Sequence, residues 1–179
     1  METNITQLVA EIDKTLERTV TLFDDLDPGE INKVPFENSW TAGQLMHHVL
    51  MSNKGFADIM RGPVEDTERD PSLNIETIRS IFLNFNTKMK SPDFILPPEK
   101  DYDKEALKSE FRAVKTQLIT TTSSEDLSKT CTAFELPQLG FLTRIEAIHF
   151  VLYHTQRHTH QLENIKKAIK HRETMITTH

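Results

Sequence analysis

The sequence predicts an all-α protein, an antiparallel four-helix bundle with one additional short connecting helix. Five segments repeat apolar residues at steps of three and four, which is the spacing of one face of an α-helix. Long helices joined by short loops pack as bundles. The segment TCTAFEL at 130–136 is the nearest to a strand, but it is short. A chain of 179 residues suits a single domain, which we expect to span residues 1–179.

The first two helices are marked by their apolar faces and by signals at their ends. The first apolar face consists of Ile5, Leu8, Val9, Ile12, Leu16, Val20 and Phe23. The turn DPGE at 27–30 ends this helix. The second helix begins near Thr41, a residue type that caps helices, and stops at Gly62-Pro63. Its apolar face consists of Leu45, Val49, Phe56 and Ile59.

The third helix is predicted to be short, and two long helices follow it. The third apolar face consists of Ile75, Ile78, Phe82, Phe85 and Met89. Its end lies at Ser91-Pro92, where the prolines of 91–103 forbid regular structure. The fourth helix begins after Asp103 and presents Leu107, Phe111, Val114 and Leu118. A loop over 125–141 leads to the fifth helix, predicted from about Thr143 to His171.

Composition limits the classes of partner and the compartment. The net charge is −6 and no long basic run occurs, which argues against nucleic acid because phosphate-backbone binders carry a basic field. No run approaches eighteen apolar residues, so we expect no membrane association. The single cysteine, Cys131, excludes an intrachain disulfide and a multi-cysteine zinc site. It fits a reducing compartment, and we expect a cytoplasmic protein.

The histidines of the last helix form the first candidate site. A helix turns about 100° per residue, so His154 and His158 share one face. That face also carries Ala147, Val151, Leu162, Ile165 and Ile169. His149 and His160 lie on another flank, which is predicted to be peripheral. Two imidazoles one turn apart can chelate one ion, although the glutamate of a HExxH metalloprotease is absent here.

His48 of the second helix is the predicted third ligand. By helical phase it points inward with Leu45, Ser52, Gly55 and Ile59, whereas His47 points outward with polar residues. Three neutral imidazoles from two helices make a site typical of zinc or nickel, with one position left for water or substrate. For an isolated HxxxH pair, hydrogen bonding of buried imidazoles to polar neighbours or water is the alternative.

Four further residues receive predictions with alternatives. Trp40 is predicted to be a packing anchor rather than a ligand stacker. Gln161 could orient an ion-bound water or be an ordinary polar residue. Arg157 could meet an anionic substrate, although a solvated arginine paired with Glu163 or another carboxylate is favoured. Cys131 is predicted to be a small buried hydrophobe in a loop.

Two motifs taken together resemble the DinB-like superfamily. They are WTAGQLMHH at 40–48 and HTQRHTHQL at 154–162. This superfamily includes the DinB and YfiT proteins, bacillithiol S-transferases and mycothiol-dependent maleylpyruvate isomerases. The resemblance implies a four-helix bundle with a divalent ion, zinc or nickel, on His48, His154 and His158. It also implies a homodimer.

The function implied by this resemblance is a metal-dependent enzyme acting on a small molecule. Its favoured reaction is transfer of a low-molecular-weight bacterial thiol to a small electrophile, in detoxification or a stress response. The alternatives are a hydrolase that uses metal-bound water and a non-enzymatic, stress-associated helical dimer. The residues 158–161, HTHQ, depart from the HRGQ ending of one branch, and no particular thiol or catalytic acid or base is assigned.

Overall fold

Four long helices and one short helix make up the computed structural model, which describes residues 4–177 and their side chains up to residue 172. The helices are α1 (Ile5–Asp24), α2 (Ala42–Arg61), α3 (Ile75–Leu83), α4 (Lys104–Ser124) and α5 (Arg144–Thr177). α1 and α2 each pack against both α4 and α5, and the short α3 packs against α5. The predicted four-helix bundle with a short connecting helix is confirmed. The single domain over 1–179 stays a prediction, and its residues 1–3, 178 and 179 lie outside the described part.

Side-chain caps explain where three of the long helices begin. Asn4 accepts a hydrogen bond from the backbone N–H of Gln7 at 3.1 Å at the start of α1. Thr41, predicted as a cap, accepts from the backbone of Gln44 at 3.1 Å, and the Gln44 side chain accepts from the backbone of Thr41 at 3.0 Å. This capping box satisfies two donors that the first turn of α2 leaves unpaired. Asp103 caps α4 in the same way.

The end of α3 differs from the prediction. The helix stops at Leu83, whereas the apolar spacing continues to Met89. Phe85 and Met89 are exposed, so they lack a packing surface that would stabilise a longer helix. The guanidinium of Arg157 donates to the carbonyl oxygens of Phe82 and Asn84 at 3.1 and 2.9 Å. Arg157 therefore satisfies carbonyl oxygens at the end of α3, where no further helical turn supplies N–H donors.

A small antiparallel sheet replaces the predicted loop before α5. Its strands are β1 (Val64–Glu65), β2 (Thr130–Leu136) and β3 (Gly140–Thr143), in the order β1-β2-β3. Gln138, in the turn between β2 and β3, and Gly140, the first residue of β3, have positive φ. The predicted loop over 125–141 is wrong in part, because the short segment TCTAFEL finds pairing partners on both sides, in β1 and β3. Cys131 is buried as predicted, but in β2 rather than in a loop.

A buried ion pair anchors the start of α5. Glu146 is fully buried, and its carboxylate accepts from both terminal nitrogens of Arg69 at 2.7 and 2.6 Å. The backbone N–H groups of Asn74 and Thr143 also donate to it, at 2.8 and 3.0 Å. Burial alone would raise the pKa of Glu146, but Arg69 and these N–H groups hold it below its ordinary value. The helix that carries two of the candidate ligands is thereby held at its first turn.

Within the described residues, no helix combines the length and the apolar character needed to cross a bilayer. The cytoplasmic location stays a prediction.

Candidate metal centre

Three imidazoles meet between α2 and α5. His48 Nε2 lies 3.3 Å from His154 Nε2, and His158 Nε2 lies 3.1 Å from the same atom. The three candidate ligand atoms all lie within 4.8 Å of one another. We call His48, His154 and His158 the histidine triad. Helical phase predicted that these side chains would face the same interior point, and their convergence is confirmed. The binding of a metal by them stays a prediction.

Packing between α2 and α5 sets the position of the triad. The rings of Phe56 and Phe150 stack with centroids 4.2 Å apart. The buried amide of Asn53 donates to the hydroxyl of Thr155 at 3.2 Å. Asn53 follows His48 by five residues and Thr155 directly follows His154, so these contacts fix how the two helices are aligned beside the triad.

The hydrogen bond that a ring makes through Nδ1, its nitrogen on the side away from the other triad members, determines whether Nε2 directs a lone pair at the centre of the triad. His48 Nδ1 lies 3.0 Å from the carbonyl oxygen of Ile95, and His158 Nδ1 lies 3.0 Å from Gln161 Oε1. Both oxygens can only accept, so each Nδ1 carries the proton. In the neutral imidazole, Nε2 then carries a lone pair directed at the centre. His154 Nδ1 is buried and has no hydrogen-bond partner among the described residues.

Burial keeps the triad neutral. Removal from water lowers the pKa of His48, and it lowers the pKa of His154 well below its ordinary value. For His158, burial and then the neighbouring His48 ring lower the pKa to about 3. The neutral imidazole is the form that binds a metal ion, so this environment favours the binding form at neutral pH.

The spacing of the triad fits a tetrahedral ion. A Zn–N distance of about 2.0–2.1 Å places two nitrogens of a tetrahedron about 3.3 Å apart. The observed Nε2 separations of 3.3 and 3.1 Å agree with that edge. Among the described residues, no fourth histidine, cysteine or carboxylate joins this group. The donor set therefore fits a divalent ion that keeps at least one position for another ligand.

Aromatic rings surround two members of the triad. The Trp40 ring lies 5.0 Å from that of His48, and the rings of Phe82 and Phe150 lie 5.4 and 5.7 Å from that of His154. Trp40 is half-buried and packs against the hydrophobic core, so its prediction as a packing anchor is confirmed. The rings make the surroundings of the triad weakly polar.

Three other histidines, His47, His149 and His160, lie outside the triad, as their helical phases predicted. His47 faces the ring of Tyr102 at 5.2 Å. His149 Nδ1 lies 2.9 Å from the carbonyl oxygen of its own helix at Ile145. His160 is exposed and stacks on Phe85.

Two predictions about neighbouring residues change with the structure. Glu163 pairs with Arg18 at 2.7 Å, so the expected pairing of Arg157 with Glu163 is wrong. Arg157 instead binds the segment after α3, where it donates to the carbonyl of Thr87 as well as to those at the helix end. Gln161 contacts a ring nitrogen of the triad directly.

Sequence reasoning missed the contribution of the segment 91–95. The Ile95 carbonyl is the nearest acceptor for His48 Nδ1, and the hydroxyl of Ser91 lies 3.4 Å from the same atom. A main-chain carbonyl carries no residue-type signal, so only the path of the backbone reveals it. The sole hint was that this segment is too rich in proline for a helix.

Two open clefts elsewhere on the bundle do not include the triad. One, of about 390 Å³, lies between α1 and α5 and is lined by residues such as Arg18, His160 and Glu163. The other, of about 400 Å³, lies between α2 and α4. We place the candidate chemistry at the triad because its donors converge there, whereas the described residues that line these clefts form no such group of metal ligands.

Comparison with known proteins identifies a family. The DinB superfamily matches this sequence over residues 11–162, a range that contains the whole triad. The crystal structure of TT2238, described as a four-helix bundle protein, is similar in fold with a TM-score of 0.53. It shares 17% sequence identity, and the alignment covers 90% of this chain and 99% of that one, so the likeness concerns the fold alone. No curated protein matches the sequence.

Proposed function

We propose that this chain, which belongs to the DinB superfamily, is a metal-dependent enzyme with one divalent ion, zinc or nickel, on the histidine triad. The observation that carries the proposal is the convergence of three ring nitrogens within 4.8 Å of one another, two of whose separations, 3.3 and 3.1 Å, match a tetrahedral edge. Simple hydrogen bonding of buried histidines explains it less well. With Nδ1 protonated on His48 and His158, both of their Nε2 atoms are acceptors, and only His154 could donate between them.

The chemistry follows from an open position beside neutral ligands. A divalent ion in such a site acts as a Lewis acid that lowers the pKa of a thiol or water in its free position. The protein contributes the orientation of the donors through the Ile95 carbonyl and Gln161. The rings of Trp40, Phe82 and Phe150 contribute a weakly polar wall, in which charge interactions are stronger than in water.

The proposed reaction is transfer of a low-molecular-weight thiol to a small electrophile. The thiol sulfur forms a bond to the electrophilic carbon, the leaving group departs with its electron pair, and the thiol proton passes to solvent. Family resemblance favours this reaction, and the weakly polar wall suits an apolar electrophile. We also propose that the protein works as a homodimer in a detoxification or stress response.

The reaction can be tested with a fluorogenic electrophile. Zinc- or nickel-loaded protein is incubated with bacillithiol and monochlorobimane, and formation of the fluorescent conjugate is followed. We expect conjugation that is lost in His154→Ala and retained in His149→Ala, a matched histidine on the same helix outside the triad.

Three results, from this assay and from assays of ester hydrolysis and thermal stability, would change the proposal. Conjugation that is absent, or equal in His154→Ala, overturns thiol transfer. Ester hydrolysis that requires no thiol and disappears with EDTA would support a hydrolase with the same ligands. Metal binding that raises the melting temperature without any activity would support a non-enzymatic role.

A further inference from the structure

A metal-binding histidine must carry its proton on the nitrogen that faces away from the ion. In a free neutral imidazole either nitrogen can carry it, so a neighbouring acceptor decides. Partners of this kind fix both the tautomer and the orientation of the ring. The three members of the triad differ in how this requirement is met.

His48 and His154 are held mainly by their surroundings. The ring of His48 lies beside Trp40, and its Nδ1 donates to the Ile95 carbonyl. The ring of His154 is enclosed by Phe82 and Phe150, and both histidines are buried. Packing therefore restricts the orientation of these two rings, whatever their hydrogen bonds are.

His158 has no aromatic neighbour of this kind outside the triad among the described ring contacts. The residue as a whole is partly buried, although its metal-facing side is enclosed, and its described ring contacts are those with the other two members of the triad. Its Nδ1 donates to Gln161 Oε1 at 3.0 Å. Gln161 lies three residues further along α5, so its side chain reaches the ring from the same helix face.

From these contacts we infer that Gln161 is a positioning residue, which holds His158 in the Nδ1–H tautomer and thereby sets the affinity of the triad for its ion. The inference rests on the proposed metal function. Gln161 does not touch the ion or a substrate in this role. It acts through His158 by binding the outer ring nitrogen, and it does not orient a water bound to the ion.

Two substitutions of similar size separate this role from simple packing. Gln161→Met fills the same space but removes the acceptor for the Nδ1 proton. Gln161→Glu keeps an oxygen acceptor and strengthens it, because hydrogen bonds to a charged acceptor are stronger. Gln156→Met is the matched control, since Gln156 lies on the same helix, is also partly buried and lines the cleft between α1 and α5.

The first measurement is zinc affinity by competition with a chromophoric chelator at neutral pH. We expect Gln161→Met to bind zinc about 10–100-fold more weakly, the usual effect of losing a partner of a metal-bound histidine. Gln161→Glu should bind at least as tightly as the wild type, and Gln156→Met should match it. An affinity of Gln161→Met within about threefold of the wild type overturns the inference. So does a Gln161→Glu variant as weak as Gln161→Met, because packing would then be the cause.

The second measurement needs no metal. Two-bond ¹H–¹⁵N spectra of the metal-free protein should show His158 as the Nδ1–H tautomer in the wild type, with a shift toward Nε2–H in Gln161→Met. An unchanged tautomer in Gln161→Met contradicts the inference directly. If the wild type takes up no zinc, the proposed metal function fails, and with it the effect of Gln161 on metal affinity. The spectra of the metal-free protein then still show whether Gln161 fixes the tautomer of His158.

Discussion

Replacing Glu146 by glutamine tests the ion pair that anchors α5. Each carboxylate oxygen accepts from one nitrogen of Arg69 and from one backbone N–H, either that of Asn74 or that of Thr143. In Glu146→Gln one oxygen becomes an NH₂ group, which must face two donors at hydrogen-bond distance. The substitution also leaves the guanidinium without its counter-charge.

The size of the effect follows from the burial of the two partners. Removing one member of a buried ion pair costs about 3–5 kcal/mol. Glu146 is fully buried, whereas the Arg69 side chain is 29% exposed and can recover some hydration. We therefore expect the free energy of unfolding to fall by an amount at the lower end of this range, about 3 kcal/mol. For a chain of this length that corresponds to a fall in Tm of about 6–12 °C.

The assay is thermal and urea unfolding of both proteins as a function of pH. Because the folded-state pKa of Glu146 lies below its unfolded-state value, its stabilisation is complete at neutral pH and is lost as the pH falls through the folded-state value. The difference between wild type and variant should therefore shrink as the pH falls below about 4.3.

The control is Glu163→Gln, in which the partner Arg18 is 68% exposed. An exposed pair of this kind contributes less than about 1 kcal/mol, so its Tm should change little. A fall in Tm of less than about 2 °C in Glu146→Gln would refute the reasoning. If the difference in stability between wild type and Glu146→Gln stayed constant under acid conditions, the electrostatic part of the reasoning would be refuted.

Three further variants or treatments test other parts of the molecule. His48→Ala should abolish stoichiometric zinc uptake in equilibrium dialysis, while its circular dichroism spectrum keeps the helical signal. The control, His149→Ala, should leave zinc uptake intact. The reverse pattern would show that the metal site lies elsewhere. Arg157→Ala removes three hydrogen bonds worth about 0.5–1.5 kcal/mol each, so amide exchange across residues 84–96 should accelerate at least about tenfold. Unchanged exchange there would show that the segment is held by other contacts. Burial raises the pKa of Cys131 to about 11, so iodoacetamide should modify it about 100-fold more slowly in the native protein than in urea. Rapid native modification would show that the thiol is accessible.

Much of the helical architecture could be predicted because its signals are local. Thr41 caps α2, as its residue type indicated, and α4 begins directly after Asp103, as predicted. The inward phase of His48 and of the pair on α5 follows from the constant rotation per residue of an α-helix. The structure confirms that phase by bringing the three Nε2 atoms together.

The errors arose where a distant partner decides the local conformation. The apolar spacing of α3 continues past Leu83, but Arg157, more than seventy residues away, binds the carbonyls at its end. β2 pairs through Cys131 with Val64, which lies on a strand too short to recognise in sequence. A strand needs a partner for its hydrogen bonds, and the partner is not part of the local pattern.

By itself, the sequence determined the order of the helices, the face that each one buries and the membership of His48, His154 and His158 in an interior face. These properties depend on bonded geometry and on the separation of apolar from polar side chains, both of which act over a few turns. Only the tertiary structure decided the 3.3 and 3.1 Å separations of their nitrogens and the acceptors at Ile95 and Gln161. Those distances depend on how separate helices and the proline-rich segment after α3 pack, because ring positions are set by the close-packed contacts between elements.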